Sequence, residues 1–421
     1  MHGAGRNRHA QWRRRLAIVC CGMLLSVGGV HAGEGVRLGD PVELLKLPAD
    51  QLPPITFARP LIRVSPDARR CLYIRAHGPG KAKLHVRRIA EPRSDQPAVW
   101  DEPIPALYCR MSFAGLAWRA DGQRVLFCQE PGRDEDGWAQ GAFGRRMRPW
   151  HMCWDLPNPQ YKLCRYMGVK DATGCTAMSY GPRGRMLWTA FSDPEHYKAC
   201  GVTGWDSAKR RGRTLYRRTG ACIYHLAPSR DGKHLAWVET FQRKPRKAFR
   251  PPDVVVFDVA VGKVHSRIGL AKHIPGWLDT QPPVWTTDSQ AVCYGDVVTE
   301  NRVFRREVRL LPLGKGSVRA LARDALAVGA AAEGIVVNRG PGCVPMAQGL
   351  SSFAPPGGGA TPRTNDVLLC GPSETEPSVL VPDAFAQQVA GGHVVYARTS
   401  GDDVLVLRAK LVREKAGGGL P

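Results

Sequence analysis

The sequence lacks the short motifs that mark the commonest catalytic sites. It has no Gly-x-Ser-x-Gly elbow, no His-Glu-x-x-His, no phosphate-binding Gly-rich loop with Lys and no Cys-x-x-Cys-His haem site. Its histidines are scattered without the spacing of metal ligands, and Asp134 to Gly137 lacks the alternating ligands of a calcium loop. The sequence therefore predicts no catalytic residue, no cofactor and no metal site.

Long hydrophobic runs are also missing, so we predict no membrane span. The apolar run from Leu16 to Val30 is too short to cross a bilayer, and it follows an arginine-rich start. Small residues precede Gly33, which is typical of a cleavage site. We therefore predict a signal peptide over residues 1–32 and a mature protein that is periplasmic or extracellular.

Acidic residues are scarce beside basic ones. The chain has 60 Lys and Arg against 37 Asp and Glu, and losing the five arginines of the signal peptide lowers its net charge from +23 to +18. Of the 60 basic residues 45 are Arg, alongside abundant Ala, Gly and Pro, which is typical of a GC-rich genome. The alternative is an anionic partner, and the sequence leaves both interpretations open.

One ten-residue pattern, by contrast, occurs four times. Its copies align on an Asp, with apolar residues four and five positions later and an aromatic residue six positions later. The gaps between these anchors are 54, 110 and 57 residues, so one copy in the second gap is eroded. Such fixed-period similarity predicts a repeat fold. The anchors and their aromatic residues are Asp67 and Tyr73, Asp121 and Phe127, Asp231 and Trp237, and Asp288 and Tyr294.

Each copy predicts a tight hairpin turn followed by a buried strand. Asp tolerates the turn conformation, and Gly supplies a positive φ at no steric cost. The strand after the turn is apolar at successive positions, which is typical of a sheet covered on both faces. A ring of stacked sheets has this property. A β-sandwich with chance Asp-Gly turns is the alternative.

Three weaker copies raise the number of units to seven. They turn at Arg183-Gly184, at Glu333-Gly334 and at Gly391-Gly392. A second hairpin follows each copy, so we predict an all-β chain, a single β-propeller over residues 33–421 with seven four-stranded blades, or six if one weak copy is false. The last unit lacks its fourth strand, and we hypothesise that Val42 to Leu47 supplies it. The predicted blade cores are 60–92, 113–167, 175–219, 222–270, 282–321, 325–382 and 385–413.

These repeats resemble the TolB-like, WD40-like propellers of bacterial envelope proteins. The resemblance rests on the Ser-Pro-Asp or Asp-Gly turn, the strand with its aromatic residue, and the Val-Val-Phe-Asp-Val hairpin ending in Gly262-Lys263. It extends from about Val36 to Val412. It implies the fold rather than a function, because the motif consists of a turn and a core strand.

Three long insertions fall on the face where strands two and three connect: Glu130 to Trp150, Glu239 to Pro252 and Arg339 to Thr364. Two of them are basic with interleaved aromatic residues, and arginine pairs well with carboxylate or phosphate. A flexible, solvated loop is the alternative. Another basic run, Lys209 to Arg213, falls on the opposite face. The candidate ligand-binding residues are Arg145, Arg146, Arg148, Trp150, Arg243, Lys244, Arg246, Lys247 and Arg250.

Eleven cysteines remain after the signal peptide, and in an oxidising compartment some of them should pair. If Asn158 and Pro159 form a two-residue loop, Cys153 faces Cys164, and a disulfide between these two is possible. Cys71, Cys128 and Cys293 lie in predicted core strands, where they act as buried apolar side chains.

Two functions remain open. The first is a non-catalytic binding or scaffold propeller of the cell envelope, with a protein or an anionic glycan as its partner; nucleic acid fits less well. The second is a propeller enzyme acting on acidic polysaccharide. Oligogalacturonate lyases have similar repeats with a metal held by histidines, and His225 before the Asp231-Gly232 turn resembles one such histidine.

Overall fold

The structure is a computed structural model, and the regular elements of its described part are all β-strands. No helix in this part is long and apolar enough to cross a membrane. The predicted signal peptide lies outside it. The structure describes residues 35–48, 62–76, 81–89, 95–97, 104–105, 117–119, 122, 124–129, 150–155, 162–163, 174–192, 200–206, 208–209, 211–241, 250–271, 281–301, 303–340, 365–371 and 376–413.

Two strands precede the first sheet, and three antiparallel sheets follow. The leading strands are β1 (Val36–Leu38) and β2 (Val42–Pro48). Blade 1 contains β3 (Ile62–Val64), β4 (Arg70–Ala76), β5 (Lys81–Arg88), β6 (Asp95–Pro97) and the short β7 (Ile104–Pro105). Blade 2 contains β8 (Ala117–Trp118), β9 (Arg124–Gln129), β10 (Trp150–Asp155) and β11 (Lys162–Leu163). Blade 3 contains β12 (Gly174–Tyr180), β13 (Met186–Ser192), β14 (Cys200–Asp206) and β15 (Arg211–Arg218).

Four further blades complete the described chain. Blade 4 contains β16 (Ala221–Pro228), β17 (His234–Phe241), β18 (Asp253–Asp258) and β19 (Lys263–Gly269). Blade 5 contains β20 (Val284–Trp285), β21 (Ala291–Glu300), β22 (Val303–Pro312) and β23 (Arg319–Arg323). Blades 6 and 7 share one sheet of β24 (Ala325–Ala331), β25 (Gly334–Arg339), β26 (Asn365–Cys370), β27 (Ser378–Ala390), β28 (His393–Ser400) and β29 (Asp403–Arg413), to which β1 and β2 also belong.

Blade 7 takes its fourth strand from the beginning of the described chain. The first half of β27 pairs with β26 in blade 6, and its second half, from Phe385, pairs with β28 in blade 7. β29 then pairs with β2 along Asp403–Arg408 and with β1 along Leu411–Arg413. The hypothesis that Val42 to Leu47 completes the last blade is confirmed.

The first strands of the blades contact one another in ring order. β8, β12, β16, β20, β24 and β27 each contact the next strand of this series, and β27 contacts β3. Between β8 and β3, the Nε1 of Trp118 donates a hydrogen bond to the carbonyl oxygen of Arg63 at 3.3 Å. The seven units of the described residues, of which blade 1 has the additional short strand β7, therefore form a closed ring with the fourth strands at the rim. The predicted all-β propeller is confirmed.

The motif Asp holds its turn together with a partner that the sequence pattern did not single out. The hydroxyl of the Ser or Thr two residues before the Asp donates to Asp Oδ1 at 2.5 to 2.6 Å. The same hydroxyl accepts a hydrogen bond of 2.9 to 3.0 Å from the backbone N–H five residues after the Ser or Thr. These side-chain bonds to the backbone stabilise the turn. The pairs are Ser65 with Asp67, Ser229 with Asp231, and Thr286 with Asp288.

The turns of neighbouring blades also touch. Arg70 of blade 1 donates to the carbonyl oxygen of Gly122 in blade 2 at 2.9 Å. The N–H of Asp231 in blade 4 donates to the hydroxyl of Ser289 in blade 5 at 3.3 Å. The repeated turn therefore shapes its own hairpin and also joins adjacent blades.

The motif aromatic residue packs against the preceding blade. Tyr73, Trp237 and Tyr294 are at most 1% exposed. Trp237 of blade 4 shares a hydrophobic cluster with blade 3, Tyr294 with blade 4, and Tyr73 with blade 7. Burying a side chain of this size contributes on the order of 2 to 3 kcal/mol. The repeat thus places one large apolar contact at each of these blade interfaces.

Candidate anion-binding site on blade 4

Two of the nine predicted ligand-binding residues fall within the described chain. Trp150 is the first residue of β10 and pairs with Gln129, so it belongs to a strand rather than to the insertion. Arg250 lies just before β18. The other seven lie outside the described residues and stay predictions: Arg145, Arg146, Arg148, Arg243, Lys244, Arg246 and Lys247.

The insertion of blade 4 begins later than predicted. β17 extends to Phe241, and Glu239, which we expected to open the insertion, pairs with Asp253 in the ladder. Glu239 is completely buried. The boundary was wrong because a charged residue after an apolar run was interpreted as the end of the strand.

Glu239 and Asp253 form a cross-strand pair of like charges next to this insertion. Their side chains share the face of blade 4 that packs on blade 3, because they continue the alternation of Trp237 and Val255. Two opposed carboxylates destabilise a sheet, and buried ones require positively charged partners. Positively charged side chains must therefore lie beside Glu239 and Asp253 to stabilise the pair.

Arg267 of β19 supplies the first of these charges. Its NH1 donates to Oε2 of Glu239 at 2.6 Å and to Oδ2 of Asp253 at 2.8 Å. Its NH2 donates to the hydroxyl of Tyr216, in β15 of blade 3, at 3.0 Å. One guanidinium thus separates the two carboxylates and joins two blades.

Two further arginines complete the cluster. Arg218, the last residue of β15, donates to Oε2 of Glu239 at 2.5 Å, and Arg250 donates to Oδ2 of Asp253 at 2.9 Å. Both guanidinium groups also lie over the ring of Phe241, at 4.8 Å for Arg218 and 3.8 Å for Arg250. We call Arg218, Arg250, Arg267, Glu239 and Asp253 the blade 4 arginine cluster.

The guanidinium of Arg250 leaves part of the cluster exposed to solvent. The side chain of Arg250 is 51% exposed, and its guanidinium makes one hydrogen bond to a described residue although it carries five donors. The carboxylate of Asp253 and the ring of Phe241 fix its position. A fixed and partly exposed guanidinium suits a planar anion such as carboxylate or sulfate.

Proton transfer near neutral pH does not suit these residues. Burial acts to raise the pKa of Glu239, but hydrogen bonds from Arg267, Tyr216 and Trp237 outweigh it and hold the pKa below its ordinary value. Burial and the hydrogen bond to Glu239 raise the pKa of Tyr216 to about 12. An efficient general acid or base has a pKa close to the working pH. The cluster therefore suits the binding of charged groups better than proton transfer.

The remaining basic run lies where the sequence predicted it. β14 ends at Asp206 and β15 begins at Arg211, so Lys209 occupies the hairpin between strands three and four. This is the end of the blade opposite to the insertion that follows Phe241. Arg185, from the turn between β12 and β13, donates hydrogen bonds of 2.8, 3.0 and 3.2 Å to the carboxylate of Asp206.

The register argument for a disulfide in blade 2 is wrong. Cys153 pairs with Lys162, two residues before Cys164, so the register of β10 and β11 is offset by two residues from the one we assumed. Cys164 lies outside the described residues, so the bond itself stays a prediction. Cys71 and Cys293 are completely buried, as expected for core strands.

His225 occupies an irregular point of the inner strand β16. Its φ is 60°, and the pairing of β16 with β17 shifts register between Tyr224 and Ala227. Among the described residues, no group of three or more His, Cys, Asp and Glu side chains could hold a metal ion. The enzyme alternative thus stays a prediction.

Several solved structures are similar to this chain. Hydrazine synthase from Kuenenia stuttgartiensis is similar with a TM-score of 0.51 and 13% identity, over 84% of this chain and 97% of that one. The β-propeller domain of the trilobed protease from Pyrococcus furiosus has a TM-score of 0.44 and 12% identity, over 69% and 78%. TolB from Acinetobacter baumannii has a TM-score of 0.38 and 15% identity, over 62% of this chain and 56% of that one.

Sequence comparison adds no relative. No protein-family model matches the chain, and no curated protein sequence matches it. At 12 to 15% identity these structural likenesses concern the fold alone. The chain is an all-β protein of four-stranded antiparallel sheets with a distant structural similarity to TolB and other β-propellers.

Proposed function

We propose that this chain is a non-catalytic binding module, secreted or periplasmic, that holds an anionic partner of the cell envelope beside the insertion of blade 4. The observation that carries the proposal is the blade 4 arginine cluster, in which Arg250 is fixed yet half exposed. The four basic residues Arg243, Lys244, Arg246 and Lys247 belong to the insertion that begins after Phe241. The net charge of +18 after the signal peptide also favours association with anions.

Carboxylate is the anion that the cluster already binds within the protein. Arg267 and Arg218 hold Glu239, and Arg250 holds Asp253. An acidic glycan presents the same group repeatedly, and several weak contacts along one polymer add to a useful affinity. We therefore favour an acidic glycan over a neutral one.

Binding of polygalacturonate to the purified mature chain tests the proposal. We expect binding that weakens with salt, and no binding of neutral dextran. Replacing Arg243, Lys244, Arg246 and Lys247 with Ser should reduce the affinity at least about tenfold, which corresponds to roughly 1.4 kcal/mol. Absorbance of unsaturated products in the same samples would instead indicate cleavage, as the enzyme alternative requires.

A matched control removes the same number of charges from the opposite end of the blades. Arg230, Lys233, Lys263 and Lys315 are exposed in or beside the turns of blades 4 and 5. Their replacement with Ser should leave the affinity within about twofold of the parent, since long-range charge effects are screened at physiological salt. Equal losses in both variants, or no binding by the parent, would contradict the proposed function.

A further inference from the structure

The rim strand β15 carries two arginines whose side chains contribute no hydrogen bond or ion pair to the described part of the fold. Arg211 and Arg213 are exposed, and neither side chain makes a hydrogen bond or ion pair with a described residue. The carboxylate opposite Arg211 in the ladder is Asp206, and Arg185 already occupies it. The hydrogen bonds from Arg185 lower the pKa of Asp206 to about 2, so the pair persists at neutral pH.

A bulge brings these arginines into line with the blade 4 arginine cluster. Arg211 and Arg213 pair with Asp206 and Gly204, and after a register shift Tyr216 and Arg218 pair with Val202 and Cys200. The four partners alternate along β14, so all four β15 side chains share one face. Arg218 is five residues after Arg213, so in a regular strand the two would lie on opposite faces, and the bulge at Leu215 puts them on the same face.

This shared face looks toward blade 4. Cys200 and Val202 belong to the hydrophobic cluster between blades 3 and 4. On the facing side, Arg267 of β19 pairs with Val255, which belongs to the same cluster. The rim strands of the two blades thus face each other, and the bond from Arg267 to Tyr216 joins them at 3.0 Å. We call the surface between them a groove.

The groove is long and rich in positive charge. From Arg211 to Arg218 the bulged strand runs beside six steps of β14, which is about 20 Å. The described carboxylates on this face are Glu239 and Asp253, which accept hydrogen bonds from its own arginines, and Asp206, which Arg185 binds. We call Arg211, Arg213, Tyr216, Arg218, Arg250 and Arg267 the edge groove.

We propose that the edge groove binds an extended acidic polysaccharide that runs along the rim of blade 3 toward the insertion of blade 4. This inference rests on the proposed function and extends its site from one end of the blade to the other. The row of arginines fits a linear chain with repeated carboxylates, since a compact anion would contact one or two of them.

The aromatic rings of the groove favour a glycan over a single-stranded nucleic acid. Nucleic-acid channels present open aromatic faces on which bases stack. In the edge groove, Tyr216 packs against Trp237 with ring centroids 5.1 Å apart, and the guanidinium groups of Arg250 and Arg218 lie over Phe241. Recognition therefore depends on charge and on contacts with the groove walls.

The test compares polygalacturonate with digalacturonate on the mature chain carrying Arg211→Ser and Arg213→Ser. We expect the affinity for the polymer to fall about tenfold, while the affinity for digalacturonate changes less than about twofold, because the short ligand reaches only the blade 4 arginine cluster. The control replaces Arg398 and Lys410, two exposed residues of blade 7, with Ser and should match the parent.

The outcomes separate this inference from the proposed function. If the polymer binds the Arg211→Ser, Arg213→Ser variant as tightly as the parent, the edge groove is wrong, whereas the loop variant still decides the proposed function. If the parent binds no polygalacturonate, both are wrong. If single-stranded DNA displaces the polymer and loses affinity in the same variant, the groove binds nucleic acid and the glycan assignment is overturned.

Discussion

The residue after the motif Asp has a positive φ wherever the structure describes it. The angle is 56° at Ala68, 64° at Gly122, 74° at Gly232 and 59° at Ser289. For an L-residue with a side chain this left-handed region costs roughly 1 to 2 kcal/mol, while Gly reaches it freely. The sequence varies at this position, but the turn geometry does not.

Replacing Ala68 with Gly should therefore stabilise the protein. We expect the free energy of unfolding in urea to rise by about 0.5 to 1 kcal/mol, because the relief of strain exceeds the entropy that Gly adds to the unfolded chain. Gly232→Ala is the matched opposite change and should cost at least about 1 kcal/mol, since its Cβ would also meet Cγ of Pro182 at 3.1 Å. A loss of stability in Ala68→Gly would contradict this account.

The blade 4 arginine cluster could be predicted only in part from the sequence. Arg250 was named from its basic surroundings, but Glu239 was placed at the start of an insertion and Asp253, 14 residues later, just after its end. The ladder sets them side by side, and Arg218 arrives from another blade. Only pairing register and blade contacts reveal such a cluster, and a single sequence gives neither.

Among the elements, β2 contributes most to closing the ring. Leu45 and Leu47 are 2% and 5% exposed and pack with β28, β29 and the core strands of blade 1. Lys46 points outward between them and forms an ion pair with Asp403 at 3.0 Å. Because side chains alternate between the two faces of a strand, substitution of a buried leucine should reduce stability much more than substitution of the exposed Lys46 beside it.

Leu45→Ala should lower the free energy of unfolding by about 2 to 5 kcal/mol, because it removes buried apolar surface and leaves a cavity. Lys46→Ala in the same strand should change it by less than about 1 kcal/mol, since exposed ion pairs contribute little. Urea denaturation of both variants measures the difference. Equal effects would show that β2 does not close the ring in solution.

Element prediction succeeded where turn chemistry and periodicity coincide. The weak copies at Arg183-Gly184 and Gly391-Gly392 form the expected hairpins, and the third forms its hairpin one residue earlier, at Ala332-Glu333, since Gly334 pairs with Ala331. It failed for the pairing of β10 with β11, where Cys153 pairs with Lys162 rather than with Cys164, because the turn residues alone do not set the register. A one-dimensional pattern locates a turn better than it sets the register around it.

For the molecule as a whole, the described acidic groups with displaced pKa values set the response to acid. Hydrogen bonds from Arg185, from the N–H of Val261 and from Thr286 lower the pKa values of Asp206, Asp258 and Asp288. Glu239 is lowered as well, since its hydrogen bonds outweigh the effect of burial. A carboxyl whose pKa is lower in the folded state contributes stability above its unfolded value and loses it as the pH falls.

We therefore expect the urea midpoint to be steady from pH 7 to about 5 and to fall below the ordinary pKa values, which are 3.8 for Asp and 4.5 for Glu. Asp206→Asn and Arg185→Gln should each reduce the change of the urea midpoint with pH between about pH 4 and pH 2, because each removes one partner of the same ion pair. A midpoint that rises on acidification would contradict the assignment.

The pairing of β29 with β1 and β2 also sets the timing of folding. β1 and β2 leave the ribosome before the blades do, and their partner β29 leaves it after six blades have been synthesised. The nascent chain must therefore keep this leading segment soluble and unpaired while six blades assemble behind it. β1, β2 and β29 therefore reach their native pairing together, in a step that a fragment lacking β29 cannot complete.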